Sequence, residues 1–287
     1  MIKFIAEVSS NHSRDIERCY RFIEASAQAG CQAVKFQLFR IDQLFAPEIL
    51  EKSEKHRKRR EWELPLEFLP LLAQRSKECG VEFSCTPFYL EAVAQLEPHV
   101  DFYKIASYEL LWDELLAACA ATGKPVVLST GMATMDEIVH ATDVLKRNGC
   151  AAPTLLHCTS AYPTPYQDAN LAAIETLRRA TGCEIGWSDH TVEPGVIQRA
   201  IHRYDARVIE FHIDLDGQGE EYAAGHCWLP DQIGAVIRDV AHGLGADGNG
   251  VKEPVPSELP DRLWRADPSD GLRPFKVLRN TWHPNQA

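Results

Sequence analysis

The sequence predicts a (β/α)8 barrel, a TIM barrel, followed by a short irregular C-terminal extension. Three observations carry this. Short apolar runs alternate eight times with stretches of helical periodicity. Glycine closes helix after helix, at Gly30, Gly80, Gly123, Gly149 and Gly182, where a chain turning back toward a strand must take positive φ. The eight units occupy about 245 residues, the length such a barrel needs. The rival architecture, an open doubly wound sheet, places a glycine-rich phosphate loop after an early strand, and Glu7-Val-Ser-Ser-Asn-His12 is not such a loop.

The predicted strands are Lys3–Val8, Ala33–Leu38, Glu82–Cys85, Phe102–Ile105, Pro125–Leu128, Thr154–His157, Ile185–Trp187 and Arg207–Phe211. The helices between and after them are Arg14–Ala29, Pro65–Cys79, Leu90–Leu96, Trp112–Thr122, Met135–Asn148, Asn170–Thr181, Val192–Tyr204 and Pro230–Gly243. Two stretches fall outside the pattern. Phe39–Leu64 reads as a long loop with the basic run Lys55-His-Arg-Lys-Arg-Arg60. Such a run is most often a solvated face, but a loop after a strand sits on the catalytic rim, where it could guide an anion. The organisation expected is a catalytic barrel over residues 1–245 and an extension over 246–287 with no second folded domain.

Hydrophobic residues make up 45% and charged residues 25% of the 287, ordinary for a globular protein. The formal net charge of −11 speaks against nucleic acid or an anionic membrane as partner, so an anionic ligand would need a local basic pocket. Nine cysteines without a CxxC pair, and no signal peptide before Lys3, read as reduced thiols in a cytoplasmic protein. No apolar run approaches a membrane span.

In such a barrel, chemistry lies where strands stop. Those positions offer Glu7, Asn11 and His12; Lys35 and Gln37; Thr86; Lys104, Ser107 and Glu109; Ser129, Thr130 and Gly131; His157, Thr159, Ser160 and Tyr162; Ser188, Asp189 and His190; and His212. His190 and His212 end neighbouring parallel strands, a candidate divalent-metal site with Asp189, Asp214 or water completing the shell. Lysine inside an apolar strand is rare without a partner. Lys35 and Lys104 are two such lysines, each a candidate for a buried ion pair with Glu7 or Glu109. Converging with several hydroxyls, they read as a pocket for a small polyanion bearing phosphate and carboxylate.

These residues also carry a resemblance. Ala6-Glu7-Val-Ser-Ser-Asn11-His12, Val34-Lys35-Phe-Gln37, Cys85-Thr86-Pro87-Phe88, Tyr103-Lys104-Ile-Ala-Ser107-Tyr-Glu109, Leu128-Ser129-Thr130-Gly131-Met132, Leu156-His157-Cys158-Thr159 with Tyr162-Pro163-Thr164-Pro165, and Ser188-Asp189-His190 resemble the sialic acid synthase (N-acetylneuraminate synthase) family. The resemblance runs in order from residue 3 to residue 240. It implies a manganese- or magnesium-dependent transferase that condenses phosphoenolpyruvate with an open-chain amino sugar or aldose, typically N-acetylmannosamine, to a nonulosonic acid, and it implies a homodimer. It further implies His190 and His212 as metal ligands. Lys35, Thr86, Lys104, Ser107, Ser129, Ser160 and Ser188 would hold phosphoenolpyruvate. Glu7, Gln37, Glu109 and Tyr162 would surround the sugar and the reacting carbons, with Glu7, Glu109 and Lys104 catalytic.

The sequence departs from that family at three places. Ser160 stands where asparagine is common. Gly217–Trp228 replaces a Pro-Gly-Pro-Asp segment, placing Ala223 at the aspartate, with Glu220, Glu221 or His226 as substitutes. Typical members continue into an antifreeze-like domain that gives an arginine to the partner's sugar. Here Trp264, Arg262, Arg265 and Arg273 lie on the extension, and one of these arginines is a candidate replacement. Two other readings compete: a metal-dependent aldolase for a 2-keto-3-deoxy sugar acid, or a related phosphoenolpyruvate-dependent synthase with another aldehyde acceptor. A non-catalytic sugar-phosphate sensor would have lost a lysine or a histidine, and all four are present.

Overall fold

Each predicted apolar run forms a strand, and the pleat of the strands sorts their side chains into layers. The structure, a computed structural model, describes residues 2–283, so the end of the expected extension, 284–287, lies outside the described residues. Eight parallel strands follow in chain order: β1 (Lys3–Glu7), β2 (Ala33–Leu38), β3 (Glu82–Pro87), β4 (Phe102–Ile105), β5 (Val126–Ser129), β6 (Thr154–Cys158), β7 (Glu184–Asp189) and β8 (Val208–Ile213). β1 pairs with β8, Ile5 opposite Glu210 and Glu7 opposite His212, which closes the sheet into a (β/α)8 TIM barrel. One extra two-residue strand, β9 (Cys227–Trp228), adds alongside β8; it is too short to show a period in sequence.

The helices are α1 (Ile16–Ala29), α2 (Ile41–Leu44), α3 (Pro47–Lys52), α4 (Glu54–Lys58), α5 (Leu69–Glu78), α6 (Leu90–Leu96), α7 (Asp113–Ala121), α8 (Met135–Arg147), α9 (Ala173–Thr181), α10 (Pro194–Tyr204), α11 (Glu220–Ala224), α12 (Pro230–Ala246) and α13 (Lys276–Arg279). The helix expected over Pro65–Cys79 starts late, because a 3-10 turn at Leu66–Phe68 precedes α5. The long loop expected over Phe39–Leu64 instead holds α2, α3, α4 and a 3-10 turn at Arg59–Trp62. Ser53 caps α4, its hydroxyl accepting from the His56 amide at 3.4 Å.

The barrel interior begins with a dry floor of Ile5, Ala33, Phe102, Val127, Leu156 and Val208. Gly186 belongs to the same level: a Cβ there would stand 2.2 Å from the Val208 carbonyl and 2.5 Å from Leu156, so the packing admits only glycine. Side chains two residues on point to the same face. The next layer is therefore Glu7, Lys35, Lys104, Ser129, Cys158, Ser188 and Glu210, all polar or ionisable. The opposite faces of the strands, including Phe4, Val34, Phe36, Tyr103, Ile105, Trp187 and Phe211, join the larger core beneath the helices. Hollowing the floor, as in Phe102→Ala, would cost about 3–5 kcal/mol. It would remove the support on which the charged layer rests.

The chain divides into two compact units, 1–241 and 242–287, slightly earlier than the 245/246 boundary expected. In the second, Asp270 pairs with Arg279 at 2.6 Å, Asp267 accepts from the Lys276 amide at 2.7 Å, and Trp264 meets Trp282 edge-on at 6.4 Å. Of the arginines singled out there, Arg265 lies over the Phe275 ring at 5.2 Å. No helix among the described residues is long and apolar enough to cross a membrane.

Candidate active site

A cavity of about 630 Å³ opens at the C-terminal ends of the strands. Its walls include Glu7, Lys35, Gln37, Thr86, Lys104, Ser107, Glu109, Ser129, Tyr162, Ser188, His190 and His212, so twelve of the thirteen residues picked out from the sequence converge there. Ser160 lies just behind the wall, its hydroxyl buried without a partner among the described residues and pressed against Gly131. A Cβ on Gly131 would stand 2.2 Å from that hydroxyl and 2.9 Å from Ser107 Oγ, so the glycine permits the close approach. The Gly131 amide donates to Ser107 Oγ at 3.0 Å.

The two strand lysines are both ion-paired and nearly sealed from solvent. Lys35 pairs with Glu7 and donates to Thr86 Oγ1 at 3.2 Å. Glu7 also accepts from the Ser9 amide at 2.7 Å and from Gln37 Nε2 at 2.9 Å. Lys104 pairs with Glu210 at 3.6 Å, not with Glu109 as the sequence reading allowed. Glu210 accepts from Ser188 Oγ at 3.4 Å. The reading from strand ends missed Glu210, although the period that points His212 inward points Glu210 inward too.

Burial and charge set the protonation here. Burial is the largest influence on Lys35 and lowers its ammonium to about 8. Burial would raise the Glu210 carboxyl, but Lys104 and Lys35 outweigh it and hold it below its usual value. Glu109 has only partial help from Lys104, and burial pushes it up to about 8. At neutral pH Lys35 thus keeps its proton, Glu210 has lost its own, and the neighbouring Glu109 retains one.

The other end of the cavity is a cluster of imidazoles. His190, just after β7, and His212, on β8, stand with ring centroids 5.4 Å apart. His190 Nδ1 lies 2.9 Å from the Thr159 carbonyl, which can only accept, so Nδ1 carries the proton and Nε2 keeps its lone pair. Burial, reinforced by His212, lowers the His190 pKa to about 3 and keeps the ring neutral, the form that binds metal. His212 Nδ1 lies 2.9 Å from Glu221 Oε2. His226, just before β9, brings a third ring to 5.1 Å from His212. Tyr162 packs on His190, His212 and His226 at 4.2, 5.8 and 5.2 Å.

The residues fit a divalent ion: neutral imidazoles with a carboxylate beside them are its usual donors. Asp189 and Asp214 do not complete that shell as expected. Asp189 accepts from the indoles of Trp187 and Trp228, each at 3.1 Å, and from Thr191 Oγ1 at 2.7 Å. Asp214 takes Arg18 at 3.1 Å and the Gly219 amide at 3.0 Å. Period two explains Asp189: it alternates with Ser188 and His190 and so faces the other way. The carboxylate that enters is Glu221, on α11, while Ala223 is exposed. Burial would raise Glu221, but hydrogen bonds with His212 and Ser9, and the His226 ring beside it, hold it well below the usual carboxylate range.

Other strand-end candidates are structural. Asn11 Nδ2 donates to the Ile213 carbonyl at 3.0 Å, and Thr130 Oγ1 to the Leu156 carbonyl at 3.0 Å. His157 Nε2 lies 3.0 Å from the Ala169 carbonyl, its ring against Trp187. The rim of the cavity is formed by Phe39, Leu44, Phe45, Arg59, Trp62, Phe88 and Tyr108; the sequence placed the Phe39–Leu64 loop there but did not reveal which of its residues face inward. Of the basic run, Arg57 donates to the Leu50 and Glu51 carbonyls and Lys58 pairs with Glu54 at 3.3 Å. Arg59 lies over the rings of Phe45 and Trp62 at 5.5 and 5.4 Å, facing the cavity.

Comparison with known proteins gives a consistent result. A profile of the NeuB family matches residues 22–252. The chain is 34% identical over 270 residues to N,N'-diacetyllegionaminic acid synthase of Campylobacter jejuni, covering 88% of this chain and 80% of that protein. It is 30% identical over 272 residues to N-acetylneuraminate-9-phosphate synthase of Mus musculus, covering 89% of this chain and 74% of that protein. Among solved structures, the N-acetylneuraminic acid (sialic acid) synthetase of Leptospira borgpetersenii, in complex with citrate, superposes with a TM-score of 0.79 at 31% identity, covering 91% of this chain and 90% of that one.

Proposed function

The chain belongs to the NeuB family, and from that premise we propose that it is a phosphoenolpyruvate-dependent synthase that joins phosphoenolpyruvate to an open-chain N-acylamino sugar, forming a nonulosonic acid and releasing phosphate. The single observation that carries the reading is the pairing, in one cavity, of a two-lysine hydroxyl-rich layer with a cluster of imidazoles. The first suits a small dianion and the second a Lewis-acidic metal.

Lys35 and Lys104, with Thr86, Ser107, Ser129 and Ser188, would hold the phosphate and carboxylate of phosphoenolpyruvate. The charge is balanced in the free site by Glu7 and Glu210, so ligand anions would compete with these internal carboxylates for the two ammonium groups. Hydroxyls add directional donors that an ammonium lacks. A divalent ion, manganese or magnesium in this reading, would be held by His190 and His212 and supply Lewis-acid polarisation of the acceptor's carbonyl oxygen. The methylene carbon of phosphoenolpyruvate then adds to the acceptor carbonyl carbon, water adds at C2, and phosphate leaves by C–O cleavage. In its ionised form Glu109 takes the proton from that water and passes it to the acceptor's former carbonyl oxygen, which becomes a hydroxyl, while Gln37 and Glu7 orient the acceptor. Lys104 offsets the charge of the departing phosphate.

The test is a panel of aldoses and N-acylamino sugars incubated with phosphoenolpyruvate, reading inorganic phosphate and product mass. One acceptor should release phosphate and yield a product heavier by the pyruvate unit. Cleavage of a 2-keto-3-deoxy sugar acid without any phosphate release would replace this reading with an aldolase.

A further inference from the structure

His226 is a buried imidazole with neither ring nitrogen hydrogen-bonded among the described residues. Nδ1 is buried without a hydrogen-bond partner among the described residues. Nε2 stands 3.6 Å from Glu221 Oε2, beyond hydrogen-bond length. The residue is 7% exposed, yet it lines the cavity. Leaving a buried polar group unpaired is costly, and native structures rarely tolerate it without a ligand or a role.

The surroundings indicate what is missing. The Glu221 carboxylate divides its labour. Oε1 takes the Ser9 and Ser10 hydroxyls at 2.5 and 3.1 Å, while Oε2 faces His212 Nδ1 at 2.9 Å, His226 Nε2 at 3.6 Å and the Cys227 thiol at 3.8 Å. One donor atom from each of His212, Glu221, His226 and Cys227 falls within 4.8 Å of the others. Two ligands at about 2.1 Å from one ion stand about 3.0 Å apart at an octahedral angle and about 3.4 Å apart at a tetrahedral one. The 2.9 and 3.6 Å separations bracket that range closely.

We propose that Glu221 and His226 are direct ligands of the metal, beside His212. The inference rests on the proposed function only for the presence of a divalent ion near His212. It makes the centre richer in nitrogen than a two-histidine site, so it should prefer zinc, cobalt or iron(II) to magnesium. Glu221 as a mere orienting partner of His212 would explain the 2.9 Å contact but would leave His226 unsatisfied.

The test uses the full chain loaded with cobalt(II), with X-ray absorption counting imidazole ligands and calorimetry giving the affinities for cobalt(II) and magnesium. His226→Ala should lose one imidazole from the count and bind cobalt(II) at least tenfold more weakly, with circular dichroism unchanged. Glu221→Gln should weaken binding to a similar degree while keeping the imidazole count. If His226→Ala does not fold, His226→Gln gives the same reading. An unchanged imidazole count with affinity within twofold in the folded variant would overturn the proposal, as would tighter binding of magnesium than of cobalt(II). Phosphate release by the same wild-type preparation is read separately: its absence with every acceptor would defeat the proposed reaction while the ligand count still decides this one.

Discussion

The charged layer of the cavity and its rim are assembled in different ways. The layer draws Glu7, Lys35, Lys104, Ser129, Ser188 and Glu210 from six different strands, each two residues beyond the apolar floor. The rim takes Leu44, Phe45, Arg59 and Trp62 from one insertion between β2 and α5. In the layer every cation has a carboxylate: Lys35 has Glu7 and Lys104 has Glu210. On the rim the Arg59 guanidinium is held by two aromatic faces, and its Nε is buried without a partner among the described residues. Register across a closed barrel cannot shift at one strand without disturbing the rest, so the layer is suited to a ligand common to a family. An insertion built from local contacts changes without cost to the barrel, so the rim is where one acceptor would be told from another.

The largest effect should come from the imidazole end. A chelator is expected to abolish phosphate release and manganese to restore it, and His190→Ala should lose most of the turnover with its melting temperature little changed. Full activity in protein shown by elemental analysis to be metal-free would end the comparison, since the layer alone would then suffice. Next come the lysines. Lys35→Met and Lys104→Met should each weaken phosphoenolpyruvate binding by about 2–4 kcal/mol, the scale of a buried charge-assisted contact. Each also strands a buried carboxylate, so thermal stability should fall as well. Calorimetry that finds unchanged affinity in both would make the lysines structural.

How much of this could be read in advance follows the same division. The layer was legible because alternation and strand ends fix which residues share a face. Glu210 escaped because it lies mid-strand, and the reading from strand ends reached only as far back as His212. The metal environment was half legible. His190 and His212 end strands, but Glu221 lies on the five-residue α11 and His226 beside the two-residue β9, both too short to carry a period. The rim was legible only as the place of the Phe39–Leu64 loop; its inward-facing residues were not, because α2, α3 and α4 have four to six residues each, below the length at which a helix is stable by itself. Tertiary contacts, not propensity, decide which side of that insertion faces the cavity.

A smaller effect separates rim from layer. Arg59→Met should raise the acceptor KM about tenfold, the loss of one charge-assisted contact of about 1.4 kcal/mol. The KM for phosphoenolpyruvate should stay within twofold. If both constants rise together, Arg59 belongs functionally with the lysines and the division drawn here is wrong.

The smallest effect is in pH dependence, and it should map to the cavity interior, Lys35 of the layer and Glu109 beside it, and not to the rim. Glu109 is raised by burial to about 8, so it is protonated at neutral pH and becomes a base only as pH climbs through that value. Lys35 is lowered by burial to about 8, so it is cationic below that pH and loses its hold on the anion above it. The kcat/KM for phosphoenolpyruvate, which reports the free enzyme, should therefore form a narrow bell with both limbs near pH 8. Glu109→Gln should lower activity and flatten the acidic limb. Lys35→Arg should move the alkaline limb out of range, because a guanidinium stays charged. Stability supplies an independent sign. With its folded pKa above the unfolded value, Glu109 holds a proton in the folded state that the unfolded chain has released between about pH 4.5 and 8. Folding then favours the lower pH, and the contribution is lost as pH rises through that window. Thermal melts at pH 5 and pH 8.5 should thus differ less in Glu109→Gln than in wild type, while Arg59→Met, on the rim, should leave both the melts and the bell where they were.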